Sequence, residues 1–145
     1  HLMLFFTGFT RFASDIEKTK IANLGDRVVE LTAMSKMVDA AIEIMQDKST
    51  PLQEFGRLLH EGWLYKKSLS DKVSNPEIDA IYEAALKAGA DGGKVLGAGG
   101  GGFFLVFAKP EVQDAVRHSL SHLVHVPFDF ETSGSRVMLY QPGGL

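Results

Sequence analysis

The sequence predicts an α+β domain, an antiparallel sheet with helices packed against it, and three observations point that way. Helical and strand-like segments are mixed along the chain rather than alternating regularly. The stretch from Phe103 to Tyr140 reads strand, helix, strand, strand. No internal repeat and no linker-like stretch divides the 145 residues, so residues 1–145 are expected to form a single domain around one core.

Leu2-Met3-Leu4-Phe5-Phe6 is a short apolar run without alternation, which reads as a buried strand ended by Thr7-Gly8. Ser14-Asp15-Ile16-Glu17 has the capping-box spacing that opens a helix, with an interruption expected near Asn23-Leu24-Gly25. Val28, Leu31, Met34, Val38, Ala41, Ile42 and Met45 recur at three- and four-residue steps, which predicts a long helix with one buried face. Thr50-Pro51 suits a cap and a first helical turn for a helix from Leu52 to about Leu69, with Phe55, Leu58, Leu59 and Leu69 on its apolar side. Asn75-Pro76 repeats that device ahead of Ile78, Ile81, Tyr82, Ala85 and Leu86, and Gly89 supplies the stop. Lys94-Val95-Leu96 and Phe103 to Phe107 read as strands around a glycine run. Pro110-Glu111 opens a helix burying Val112, Val116 and Leu120. Val126, Phe128 and Phe130 alternate with Pro127 and Asp129 as a half-buried edge strand, and Val137 to Tyr140 forms the last one. The second half of this order is part of a ferredoxin-like arrangement.

Composition narrows the function. Hydrophobic residues at 45% and charged residues at 23% are ordinary for a globular domain. A net charge of −3 offers no broad basic field for nucleic acid, while leaving room for a local cationic pocket. Cysteine is absent, which excludes disulfides, thiolate zinc sites and thiol nucleophiles and fits a cytoplasmic setting. No run approaches the roughly 18 apolar residues of a membrane span. The chain opens inside a strand-like run with no cap or tail before it, so it is expected to be a piece of a longer protein.

Gly97-Ala98-Gly99-Gly100-Gly101-Gly102 is the segment whose cost demands a reason, since glycine loses the most backbone freedom on folding. Positive φ and close approach let successive N–H groups face one concavity and bind an anion such as a phosphate. No Gly-Lys-Ser/Thr follows, which excludes a Walker A loop, and a strand rather than a helix comes next, which excludes a dinucleotide fingerprint. The competing reading is a mobile hairpin, although a hairpin rarely needs more than one or two glycines.

Gly93-Lys94-Val95-Leu96-Gly97-Ala98-Gly99-Gly100-Gly101-Gly102-Phe103-Phe104 resembles the third conserved motif of the GHMP kinases, in that family's C-terminal domain. Leu4-Phe5-Phe6-Thr7-Gly8 with Arg11 and Ser14 is similar to the strand opening the C-terminal half of its sugar-kinase branch. Trp63, Lys66, Lys67 and Leu69, then Ser74-Asn75-Pro76-Glu77-Ile78-Asp79 and Tyr82, resemble the fucokinase and D-glycero-D-manno-heptose 7-phosphate kinase branch. The resemblance runs from Leu2 to about Tyr140. It implies a GHMP-kinase C-terminal domain whose glycine loop supports the nucleotide-phosphate site. It also implies ATP as donor, Mg²⁺, and the anomeric hydroxyl of a heptose 7-phosphate as acceptor. No segment before residue 93 resembles the family's first phosphate loop. The catalytic residues and the main ATP and Mg²⁺ contacts are therefore expected in an N-terminal domain that is this chain's partner, and the chain alone is expected to be inactive. A fucokinase-like domain and a non-catalytic anion-binding regulatory module, or a purely structural one, are the alternatives.

Other residues are candidates for holding the substrate. Trp63, Lys66 and Lys67 fall at i, i+3 and i+4 on one helix face, with His60 a turn earlier, where ammonium could meet phosphate and indole a sugar ring. The alternative is solvated lysines and a core tryptophan. Arg11 can grip a phosphate bidentately or be an ordinary surface arginine. His118, His122 and His125 lack any accompanying carboxylate pattern, so no metal site is expected there. Gly56 and Gly62 inside a predicted helix signal either close packing or room for a ligand.

Overall fold

The computed structural model describes residues 1–8 and 13–137, without the side chains of residues 13–15. Its order is β1 (Leu2–Phe6), α1 (Ala13–Asn23), a 3-10 turn at Leu24–Arg27, α2 (Val28–Gln46), α3 (Gln53–Ser68), α4 (Pro76–Lys87), β2 (Gly92–Val95), β3 (Phe103–Phe107), a 3-10 turn at Pro110–Val112, α5 (Gln113–Ser119) and β4 (Val124–His125). The strands form one sheet in the order β2-β3-β1-β4, every neighbouring pair antiparallel. This is the ferredoxin-like plan, with β1 and β3 in the middle.

Register decides where the core lies. Met3 pairs with Val106 and Phe5 with Phe104, while Val95 pairs with Phe104 from the other side. Alternate residues share a face, and these five are all buried. Ile78, Ile81, Tyr82 and Ala85 of α4, Trp63 of α3, Val116 of α5 and Leu120 just after it join them in one cluster. Each large apolar side chain so buried contributes about 1.5–3 kcal/mol relative to exposure. The opposite sheet face is less covered: Leu2, Leu4, Phe6 and Leu105 are half-buried and Phe103 is exposed.

Helix ends follow local chemistry. Asn75 Oδ1 accepts from the Ile78 amide at 2.9 Å, with Pro76 as the first helical residue of α4. At the other end Gly89 takes φ of +101°, and the Ala90 amide donates to Ala85 O at 3.1 Å. Thr50 does not cap α3, which starts at Gln53 without a side-chain cap. Its hydroxyl and that of Ser49 donate instead to Asp47, at 2.6 and 2.7 Å. The bonds from Thr50 and Ser49 hold the Asp47 carboxyl down at about 2. Ser14 lies in the first turn of α1 rather than ahead of it, and the expected interruption is the 3-10 turn at Leu24–Arg27.

Gly56 is explained by packing. A Cβ there would sit 2.6 Å from Asp91 Cβ and 2.7 Å from Phe107 Cδ1, and one on Gly92 would sit 2.1 Å from Gly56 O. The bare backbones let α3 lie directly against β2. Gly62 is different: a Cβ there would meet Met37 Cε at 3.6 Å, an ordinary contact, at the wall of a cavity.

Four expectations need correction. The apolar face of α2 is not buried: no residue of this helix is, and Val28, Val38, Ile42 and Met45 are exposed. Helix α2 packs on α3 and, among the described residues, nothing covers its remaining apolar surface. Val126, Phe128 and Phe130 form no strand; β4 ends at His125, and Phe130 is 78% exposed. The Val126 amide donates the last bond to Leu4 O at 2.8 Å, and Pro127 has no amide to continue the ladder. Val137 is exposed outside any strand, and residues 138–140 of that expected strand lie outside the described residues. Val112 is half-buried, whereas Val116 and Leu120 are in the core as expected.

Candidate functional site

The glycine run joins β2 to β3, and its backbone is one that side chains resist. Gly97, Gly99, Gly100, Gly101 and Gly102 all have positive φ, and Gly101 reaches +150°. Three neighbours hold the run. Thr7, just past β1, donates to Gly102 O from both its amide and its hydroxyl, each at 2.9 Å. Val73 O accepts from the Gly100 amide at 2.8 Å. Lys66 Nζ donates to Val95 O at 2.9 Å and to Gly97 O at 2.6 Å.

The turn carrying Val73 is itself tied down. The Val73 amide donates to Ser70 O at 3.2 Å, and Ser70 Oγ accepts from the Lys72 amide at 3.2 Å. Asn23, at the end of α1, donates through Nδ2 to Leu69 O at 3.2 Å. Val73 is fully buried, so the carbonyl that receives Gly100 stands on the core. Contact is close: a Cβ on Gly99 would lie 2.7 Å from Val73 O. Elsewhere the run is open, since a Cβ on Gly97 or Gly102 would meet nothing within 4 Å. Among the described residues, the amides of Ala98, Gly101 and Gly102 have no protein acceptor. A backed loop with open positions and uncommitted amides can receive an anion.

Positive charge lies at its base. Burial lowers Lys66 to about 8, with Lys94 and Lys20 adding repulsion and Glu17 opposing them. Lys66 and Lys94 also line a cavity of about 330 Å³ between α2 and α3, whose other walls include Met34, Met37, Leu58 and Leu59.

The remaining candidates separate. Trp63 is completely buried and leaves no face for a sugar ring; the role the structure gives it is core, tilted against Tyr82 at 6.2 Å. Its Nε1 has no hydrogen-bond partner among the described residues. Lys67 turns to Asp79 of α4 at 2.6 Å, where Ser74 Oγ also donates at 2.8 Å. Burial raises the Asp79 carboxyl, but the bonds from Lys67 and Ser74 outweigh it and the net shift is downward. His60 Nδ1 meets the Tyr82 hydroxyl, and burial pushes Tyr82 up to about 12. Arg11 lies outside the described residues. Of the helix-face trio, then, Lys66 alone is joined to the loop by hydrogen bonds. Thr7 and Val73 went unnoticed as loop partners in the sequence, because contacts this distant along the chain leave no local pattern.

No group of three or more His, Asp or Glu that could hold a metal occurs among the described residues. No described helix is long and apolar enough to cross a membrane.

The family model described as GHMP kinases C terminal matches residues 37–125, more than half the chain and including the whole glycine loop. This chain belongs to that family. It is 40% identical over 111 residues, 74% of its length, to the D-glycero-alpha-D-manno-heptose 7-phosphate kinase of Campylobacter jejuni, covering 32% of that protein. It is 32% identical over 117 residues, 79% of its length, to the L-fucokinase/L-fucose-1-P guanylyltransferase of Bacteroides fragilis, covering 12% of that one. The GHMP chain thus spans about a third or less of the relatives it matches. The fold superposes on Streptococcus pneumoniae phosphomevalonate kinase, solved with phosphomevalonate and AMPPNP, with a TM-score of 0.70 over 83% of this chain and 36% of that one. At 16% identity that likeness shows the fold alone.

Proposed function

We propose that this chain is the C-terminal domain of an ATP-dependent sugar-phosphate kinase that phosphorylates the anomeric hydroxyl of D-glycero-D-manno-heptose 7-phosphate. The observation that carries the substrate class is the 40% identity to a heptose 7-phosphate kinase over most of this chain. The geometry supports it: the loop is fixed from behind at Gly97, Gly100 and Gly102 and open in front at Gly97 and Gly102.

Phosphoryl transfer is governed by positioning and by neutralising charge on the transferring group. ATP supplies that group when bound. The part of this chain is to present uncommitted loop amides to a phosphate, with Lys66 and Lys94 keeping the local potential positive. Arg11, Trp63 and Lys67 were the other substrate candidates; the arrangement favours Lys66 over Trp63 and Lys67. The catalytic base, the metal ligands and the main nucleotide contacts belong, in this proposal, to an N-terminal domain.

Replacing Gly100, whose amide is bonded to Val73 O, tests the loop's part. Gly100→Val in the full-length enzyme is expected to lower kcat/KM at least tenfold, since a misplaced positioning element costs about that or more. Wild-type kcat/KM in this variant would contradict the role. The 32% likeness to a fucokinase makes L-fucose the second acceptor to assay.

A further inference from the structure

Lys66 occupies the last turn of α3, and its ammonium joins two carbonyls where β2 ends and the glycine run begins. A glycine run has no side chains with which to hold its own shape, so its shape must be imposed from outside. Thr7, Val73 and Lys66 impose it, and Lys66 brings the charged donor. A bond from a charged group is worth about twice a neutral one. Two of the ammonium's three donors are committed to main chain, which leaves at most one for a ligand.

We propose that Lys66 is a positioning residue that fastens the glycine loop to α3 and so sets the loop's phosphate-receiving shape. The catalytic consequence rests on the kinase reading; the fastening does not.

The groups facing the Lys66 ammonium are Lys94 of β2 and Lys20 and Glu17 of α1. Burial first, then Lys94 and Lys20, lower Lys66 to about 8, with Glu17 opposing. Below that pH the fastening is charged and strong. Above it the amine is neutral. Freeing Lys66 into water, by loop opening or by unfolding, takes up a proton: between about 8 and the ordinary lysine value of 10.5, the open chain binds a proton at this position that the closed one does not. This group's contribution to stability, and the free energy of an opening that frees it, therefore rise with pH across that window. A loop opening that leaves Lys66 in place would show no such dependence.

The test is amide hydrogen exchange of the peptide spanning residues 96–103 in the full-length protein, for wild type, Lys66→Met and Lys66→Arg, from pH 7 to 9.5. Rates are corrected for intrinsic exchange, with α5 as internal reference. In the wild type, corrected loop exchange is expected to slow about tenfold from pH 7 to 9.5, because an opening that frees Lys66 must draw an increasingly scarce proton. Lys66→Met is expected to exchange fast at every pH. Lys66→Arg stays protected throughout, because a guanidinium keeps its charge there. In turnover, Lys66→Met is expected to lower kcat more than it raises either KM. Equal loop exchange in wild type and Lys66→Met would overturn the proposal, as would a rise confined to the sugar-phosphate KM. If Lys66→Met does not fold, the wild-type pH series decides, and flat loop protection from pH 7 to 9.5 refutes the fastening. Absence of kinase activity with normal pH-dependent exchange would fail the function reading and leave the fastening standing.

Discussion

Gly99→Ala is the substitution for which the structure makes the sharpest demand. Gly99 has φ of +115°, and an added Cβ would lie 2.7 Å from Val73 O, 2.9 Å from Val73 Cα and 3.2 Å from Val73 C. All three are backbone atoms of a fully buried residue and have no rotamer to yield. Holding alanine at such a φ costs about 1–3 kcal/mol. Relief requires the loop to withdraw from Val73, which breaks the 2.8 Å bond from the Gly100 amide and loses about 1 kcal/mol more. The expected loss is about 3 kcal/mol of stability. Gly97→Ala is the matched control, with φ of +71° and nothing within 4 Å of the new Cβ. It has only the backbone cost, about 1–2 kcal/mol. Urea unfolding of residues 1–145 reports both, because Trp63 is the one tryptophan and is wholly buried. Equal midpoints for the two variants would refute the claim that Val73 backs the loop.

Two smaller predictions come from the helices. Asn75→Ala removes the acceptor for the Ile78 amide and is expected to cost about 1 kcal/mol in the same unfolding assay, with Asn75→Asp close to wild type. Asp79 is held below the usual carboxylate range by Lys67 and Ser74 despite burial, so its contribution is present above about pH 4 and is lost as pH falls through the lowered value. Its side chain is 41% exposed, so Asp79→Asn should cost under about 1 kcal/mol at pH 7 and almost nothing near pH 2, read as a shrinking difference in urea midpoint.

Which parts were legible in the sequence follows from the range of the forces involved. The caps at Asn75 and Gly89 were readable because a cap is a contract between residues three or four apart. The Phe103 to Phe107 strand was readable because its composition admits little else. The alternation of Val126, Phe128 and Phe130 misled: period two describes a strand only where an amide ladder exists, and Pro127 ends it. The periodicity of α2 correctly announced a helix but not what covers its apolar face. At the site, the glycine run was visible by its composition, and its neighbours were not. Lys66 and Lys67 are adjacent in sequence and equally basic, yet one reaches Gly97 O and the other Asp79, a choice made by how α3 sits against β2 and α4. The same close approach, through Gly56 and Gly92, explains a helical glycine that could equally have signalled ligand space.

In the proposed function this domain is one part of a sugar-phosphate kinase. ADP release from ATP with D-glycero-D-manno-heptose 7-phosphate, measured on the full-length protein and on residues 1–145 alone, tests it most directly. Turnover is expected from the full-length protein and none from residues 1–145. Turnover with L-fucose instead would keep the kinase and replace the acceptor. No turnover with any sugar would refute the kinase reading and favour a domain that binds an anion without transferring a phosphoryl group.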